Sequence, residues 1–184
     1  MWLAEGLTLP DDIEQLYRRP GFLIRRAHQI AVSIFLEETG ELGITNRQYG
    51  ILVLLRRHPG IDQITVAKLL GLDRSTTGMV LKKLEEDGLV ARYVGDRDRR
   101  RLLLKLTPAG ERMHARLAEP AKRAQARVLS VFESRERDEF LRLLEKFNQA
   151  FNDSTRVPLL ATRSPERDAA PARKAQRTQS RPPR

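Results

Sequence analysis

Apolar positions recur along this chain at two periods, and the switch between them divides it. After Pro20, Leu23, Ala27, Ile30, Ala31 and Ile34 fall three or four apart, one apolar stripe that predicts a helix to about Glu38. Residues 39–43 break it. Thr45 followed three positions later by Gln48 has the spacing of a capping box, and the helix it opens carries Tyr49, Leu52, Val53 and Leu55 until His58, Pro59 and Gly60 stop it. Helical spacing returns over residues 62–70, halts at Gly71, and reopens at Asp73 for a run reaching Leu84. Two short helices joined at a glycine predict a helix-turn-helix. After Gly88 the pattern shortens to two apolar runs, 89–94 and 102–106, separated by a polar tip, which predicts a hairpin. Thr107 is a good N-cap with Pro108 at the first helical position. Met113, Leu117, Ala121, Ala124, Val128 and Val131 then mark a long helix, which Pro120 should kink or leave with an unpaired carbonyl. Ser134 is the expected cap of a last helix bearing Phe140, Leu144, Phe147 and Phe151 on one face. Ahead of Pro20, Pro10, Asp11 and Asp12 can open a short helix with Ile13, Leu16 and Tyr17.

These elements predict a mainly α fold with a small β-hairpin wing: a winged helix-turn-helix plus a helical dimerisation region formed by the N- and C-terminal helices. The expected boundaries are an N-terminal extension at 1–19, helical dimerisation segments at 20–44 and 108–153, a winged DNA-binding domain at 45–107, and a tail at 154–184. The outer helices carry more apolar stripe than a small winged domain can cover, so burial against a second copy is expected. Folding back to complete a monomeric core is the alternative.

Charge and composition narrow the partners. The net charge of +10 and pI of about 10.6 point to an anionic partner, nucleic acid ahead of membrane. The charge is uneven: residues 154–184 hold eight Arg or Lys and two acids, a local +6 that leaves +4 elsewhere. Rich in Pro, Arg, Ser and Ala, this tail has too few apolar groups to offset its ordering entropy and is expected to be disordered. It offers nonspecific phosphate contacts, with a solvated tail of no specific role as the alternative. The chain has no cysteine, which removes disulfides, zinc ribbons and thiol switches. No leader or membrane span is legible, so a cytoplasmic protein is expected. His28, His58 and His114 are scattered, with no nucleophile turn, phosphate loop or metal-ligand spacing, so no enzyme activity and no cofactor are expected.

On a helical wheel of the second helix-turn-helix segment, Thr77, Val80, Leu81 and Leu84 fall together and should face the core. The opposite face carries Ser75, Met79, Lys82 and Glu86, flanked by Thr76 and Gly78. Recognition helices present their N-terminal residues to base edges, which nominates Arg74, Ser75, Thr76, Gly78 and Met79 for the major groove, with Lys82 and Lys83 for phosphate. Asp73 is the expected N-cap. For Met79 the competing reading is a partly buried packing residue. The hairpin tip, residues 96–101, is a basic loop placed to reach the adjacent minor groove, whose negative potential attracts arginine, with Arg97 and Arg99 among the candidates; a merely solvated loop is the alternative.

Three segments together, residues 72–76, 83–90 and 98–110, resemble the MarR family of dimeric bacterial transcriptional regulators, and the length and order agree from about residue 20 to 151. The resemblance implies a homodimer, and a wing in which Asp98 pairs with an arginine to orient the loop while Arg100 enters the groove. One departure stands out: Gly78 and Met79 occupy places where the commoner family pattern has a threonine and an arginine. Arginine can bind guanine in a bidentate way, whereas methionine and glycine offer apolar contact or close backbone approach, so an unusual operator preference is expected.

The resemblance also implies a small aromatic or anionic effector between the dimer helices and the winged domain. Residues 19–29 look like the first helix of relatives that govern catabolism of aromatic acids or their CoA thioesters. Arg26, bordering the apolar stripe, is the expected anchor for a ligand carboxylate or phosphate, with His28 and Tyr49 behind it; an ordinary ion pair is the competing role for Arg26. The expected function is thus a ligand-responsive repressor binding a pseudo-palindromic operator. The alternative is a constitutive or architectural DNA binder with no effector.

Overall fold

The structure, a computed structural model, describes residues 11–95 and 101–160. In chain order the elements are α1 (Asp11–Tyr17), α2 (Pro20–Thr39), α3 (Asn46–Arg57), β1 (Ile61–Asp62), α4 (Gln63–Leu70), α5 (Arg74–Glu86), β2 (Val90–Val94), β3 (Leu102–Leu106), α6 (Pro108–Val128) and α7 (Ser134–Ala150). The fold is mainly helical with one small antiparallel sheet, a winged helix-turn-helix. Among the described residues no helix is long and apolar enough to cross a membrane.

Local chemistry sets most boundaries. Thr45 Oγ1 accepts from the Gln48 N–H at 3.3 Å while Gln48 Oε1 accepts from the Thr45 N–H at 2.8 Å, so two otherwise orphaned donors at the start of α3 are satisfied reciprocally. Thr107 caps α6, accepting from the Gly110 N–H at 3.1 Å. The last helix differs from expectation. Glu133, not Ser134, is its N-cap, because Glu136 three residues on accepts the Glu133 N–H at 2.9 Å. Val131 also leaves the expected stripe: α6 ends at Val128, and the Ser130 hydroxyl donates to the Arg127 carbonyl at 2.8 Å, a local bond that competes with helix continuation. α6 continues through Pro120, and since proline has no N–H, the Arg116 carbonyl lacks its helical donor.

The sheet has three strands, ordered β1-β3-β2, where the sequence pattern showed only a hairpin. Ile61 pairs with Leu104 and Val90 with Leu106. A two-residue strand has no period to read. It exists because the Gly60 N–H finds the Leu104 carbonyl at 2.9 Å across the fold.

The core lies where α3, α4, α5, β3 and the first half of α6 meet. Ile51, Leu52, Leu55, Leu81, Leu84 and Leu117 are essentially inaccessible there, and truncating any one to alanine removes contacts worth about 2–5 kcal/mol. The expected stripe of α2 behaves differently. Of its apolar residues only Phe35 is buried, against Ala121 and Ala124 of α6, while Leu23, Ile24 and Ile30 stand about half exposed. α7 has no buried residue, and Leu141, Leu144, Phe147 and Phe151 are exposed. In the single chain these faces of α2 and α7 remain uncovered.

Residues 154–160, expected in a disordered tail, lie instead against α4. The Leu160 N–H donates to the Lys68 carbonyl at 3.2 Å, and the Asn152 side chain takes the Leu159 N–H at 2.9 Å and donates to its carbonyl at 3.2 Å. The reason is a polar side chain, Asn152, supplying the backbone bonds that composition alone does not reveal. Residues 161–184 are outside the described residues, as are the first ten of the expected extension.

Candidate nucleic-acid interface

α5 is presented by its own first turn. Asp73 is its N-cap: the carboxylate accepts from the Thr76 N–H at 2.8 Å and from the Thr76 hydroxyl at 2.7 Å, and these bonds hold its pKa below the usual carboxylate value. Thr77 turns inward and donates its hydroxyl to the Asp73 carbonyl at 2.8 Å, which satisfies a buried polar group. With Thr77, Leu81 and Leu84 buried, Arg74, Ser75 and Met79 are left outward. Met79 is 65% exposed, so it is not a packing residue in this chain. Thr76 reaches its surroundings mainly with its methyl group, since its hydroxyl proton is held by Asp73.

The two lysines further along are not idle in the isolated chain. Lys82 lies 3.8 Å from Glu86, and Lys83 donates to Asp87 at 2.6 Å, a bond that raises the Lys83 pKa. Both pairs are exposed, so they stabilise little and can be exchanged for phosphate.

Around α5 runs a polar seam that the sequence did not disclose. Gln63, the first residue of α4, donates to the Arg74 carbonyl at 3.5 Å and accepts from Arg92 at 3.4 Å. A Cβ on Gly78 would stand 3.3 Å from the Gln63 amide nitrogen, so the glycine gives this amide its place beside α5. Arg92 of β2 also donates to Glu85 at 2.5 Å. Asp62 caps α4, accepting from the Thr65 N–H at 2.8 Å, and pairs with Arg101 at the base of the wing. The wing neck closes through the Gly95 N–H and the Arg101 carbonyl at 3.2 Å. Arg97, Asp98, Arg99 and Arg100 lie outside the described residues.

Asp62 is the carboxyl here with the large pKa shift. The Thr65 N–H, and then Arg101, lower its pKa from 3.8 to about 2. A carboxyl with a depressed folded pKa contributes stability that is complete above its unfolded value and is lost as pH falls through the folded one. Replacing Asp62 by Asn keeps a capping oxygen but removes the titration, so its stability should vary less than the parent's between about pH 4 and pH 2. Urea denaturation at stepped pH reads this, and an identical acid limb in both proteins would exclude Asp62 as its source.

The expected ligand residues are only partly gathered. Tyr49 meets Phe35 with ring centroids 5.6 Å apart, and His114 of α6 lies parallel to it at 6.5 Å. His114, which sequence spacing did not nominate, is thus the histidine beside Tyr49. Arg26 and His28 are exposed on the first half of α2, with Arg26 about 13 Å along the helix axis from Phe35. An open groove of about 470 Å³ lies elsewhere, between the end of α2 and α6, lined by Glu37, Glu38, Glu41, Arg116 and Arg123. Glu38 there accepts from Arg123 at 3.0 Å, and Glu37 pairs with Arg127 at 2.8 Å. Its acids and internal pairing suit an organic anion poorly.

Comparison with known proteins agrees with this geometry. The MarR family model matches residues 42–101. A Thauera aromatica protein named for transcriptional regulation of the hcr operon is 32% identical over 68% of this chain and 76% of its own length. Among solved structures, the transcriptional repressor CouR bound to a 23-mer DNA duplex is 29% identical with a TM-score of 0.69, over 77% of this chain and 99% of that one. BpsR of Bordetella bronchiseptica, whose DNA binding is regulated by 6-hydroxynicotinic acid, is 27% identical with a TM-score of 0.68, over 72% of this chain and 94% of that one.

Proposed function

Since the chain belongs to the MarR family, whose members are DNA-binding transcription regulators, we propose that it is a repressor that binds a pseudo-palindromic operator as a homodimer and is released by a small aromatic acid or its CoA thioester. The observation that carries the DNA half is α5, whose N-terminal residues Arg74, Ser75 and Met79 face outward from a buried opposite side. Arg74, Ser75, Thr76, Gly78 and Met79 read the major groove in this proposal. Lys82 and Lys83 take phosphates, and Arg97, Asp98, Arg99 and Arg100 serve the minor groove.

The uncovered faces of α2 and α7 support the dimer, since side chains such as Leu23, Ile30, Leu144 and Phe147 are only about half covered and each would remove roughly 1 kcal/mol of unfavourable hydration when the rest is buried. The effector half rests on chemistry. Tyr49, Phe35 and His114 form an aromatic wall, and Arg26 and His28 on the same helix as Phe35 supply groups for a carboxylate or phosphate. The 6-hydroxynicotinic acid response of BpsR is one precedent for an aromatic acid acting on a similar protein.

Purified protein, which should sediment at twice its chain mass, is titrated onto its own upstream region with and without aromatic acids and their CoA thioesters at fixed salt. Release by one compound supports the proposal, and Arg26→Ala should then need about tenfold or more effector for the same release, as expected when a charge-assisted contact is lost. Specific binding that no compound disturbs would sink the effector half alone. An Arg26→Ala response at the parental concentration would discard the anchor.

A further inference from the structure

We propose that Gln63, from the first helix of the helix-turn-helix, reads an adenine edge in the major groove from a seat that Gly78 provides, an inference that rests on the DNA-binding reading above. Gly78 lies four residues after Arg74 and four before Lys82, so the three share one strip of α5. Arg74 and Lys82 are exposed, yet Gly78 between them is half-buried. Its cover is Gln63, whose amide nitrogen would stand 3.3 Å from a Cβ at that position. The backbone does not ask for glycine here. Gly78 is not among the glycines with positive φ, which are Gly43, Gly60, Gly71 and Gly88, and a glycine inside a helix is less favourable than alanine. What the missing side chain leaves is room for a polar group from α4 on the outward strip of α5.

The chemistry of this amide fits one base edge. Its nitrogen donates to the Arg74 carbonyl and its oxygen accepts from Arg92, which fixes its orientation, since a carbonyl only accepts and a guanidinium only donates. A primary amide carries two N–H groups and two oxygen lone pairs. Among the described residues these two bonds use one of each, and one donor and one acceptor remain side by side. Adenine presents the matching pair in the major groove, N7 as acceptor beside the N6 amino donor, whereas guanine presents two acceptors there. Arg92 is itself held by Glu85 of α5 at 2.5 Å, with both side chains mostly covered, so the seat is braced from β2 as well.

The test compares the full-length parent, Gln63→Ala, Gly78→Ala and the double variant. Each is titrated at fixed salt onto a duplex from the protein's own upstream region and onto an unrelated duplex, with thermal melting alongside. Gln63→Ala should bind the upstream duplex about tenfold more weakly, bind the unrelated duplex as the parent does, and melt like the parent. Gly78→Ala should also lose affinity for the upstream duplex without melting lower, because its methyl group pushes the amide off its seat while the helix gains. The double variant should match Gln63→Ala within about twofold, since the seat then has nothing to hold. Single base-pair substitutions across a half-site should reveal one adenine preference in the parent that Gln63→Ala lacks. Parental affinity in Gln63→Ala, or an equal loss on both duplexes, overturns the proposal. A double variant weakened by the product of the two single losses also overturns it, because Gly78 would then act independently of Gln63. If the parent does not prefer the upstream duplex, the repressor reading fails and this inference with it. If parent and Gln63→Ala both prefer it by the same factor, this inference fails alone.

Discussion

Gly110→Ala is expected to destabilise the fold by about 3 kcal/mol, the upper range for overpacking a close contact. Gly110 lies in the first turn of α6, and a Cβ there would stand 2.0 Å from the Leu89 carbonyl oxygen and 3.0 Å from its carbon. Backbone on both sides makes the clash hard to relieve. The Leu89 carbonyl already accepts the Thr107 N–H at 3.0 Å, and the Thr107 hydroxyl donates to the Gly88 carbonyl at 2.6 Å. Shifting Leu89 would break these bonds and move β2, so the wing should lose its seat on α6 along with the stability. Urea unfolding of Gly110→Ala against the parent decides it. A difference under about 1 kcal/mol would mean that α6 can slide from Leu89 at little cost.

The largest effect on DNA is expected at the wing. Arg100→Ala should weaken operator binding about 10- to 100-fold, the loss of roughly 1–3 kcal/mol typical of one groove-inserted arginine. Its neighbour Arg101 has another task in the structure, since it pairs with Asp62 at the start of α4 and its carbonyl closes the wing neck. Arg101→Ala should therefore show its loss partly in stability, whereas Arg100→Ala should melt like the parent. Fluorescence anisotropy on the operator, alongside thermal melts, separates the two. Parental affinity in Arg100→Ala would remove the wing assignment.

Much of the candidate site was legible from local pattern. Asp73, Thr77, Leu81 and Leu84 sit at spacings that predict a cap and a buried face, because both depend on residues within a few turns of one helix. The same logic located the Thr45 and Gln48 box and the Thr107 cap. It misjudged the last cap, where Glu133 with Glu136 outcompetes Ser134, since two capping spacings overlap by one residue. It gave no sign of which histidine stands beside Tyr49. Spacing along α2 nominated His28, but the histidine beside Tyr49 comes from α6.

By itself the sequence determined the order of the helices, the outward face of α5, the basic wing and the apolar surplus on the outer helices. These follow from periodicity, capping and charge, which act over short stretches of chain. Only the tertiary structure decided the third strand, the seating of Leu89 on Gly110, the seam from Gln63 to Arg92, and the return of residues 152–160 to Gly71. Asp62 and Arg101, 39 residues apart, show why. No periodicity links such positions; they meet only after the hydrophobic core has fixed α4 against the sheet, and the hydrogen bonds between them are a result of that packing.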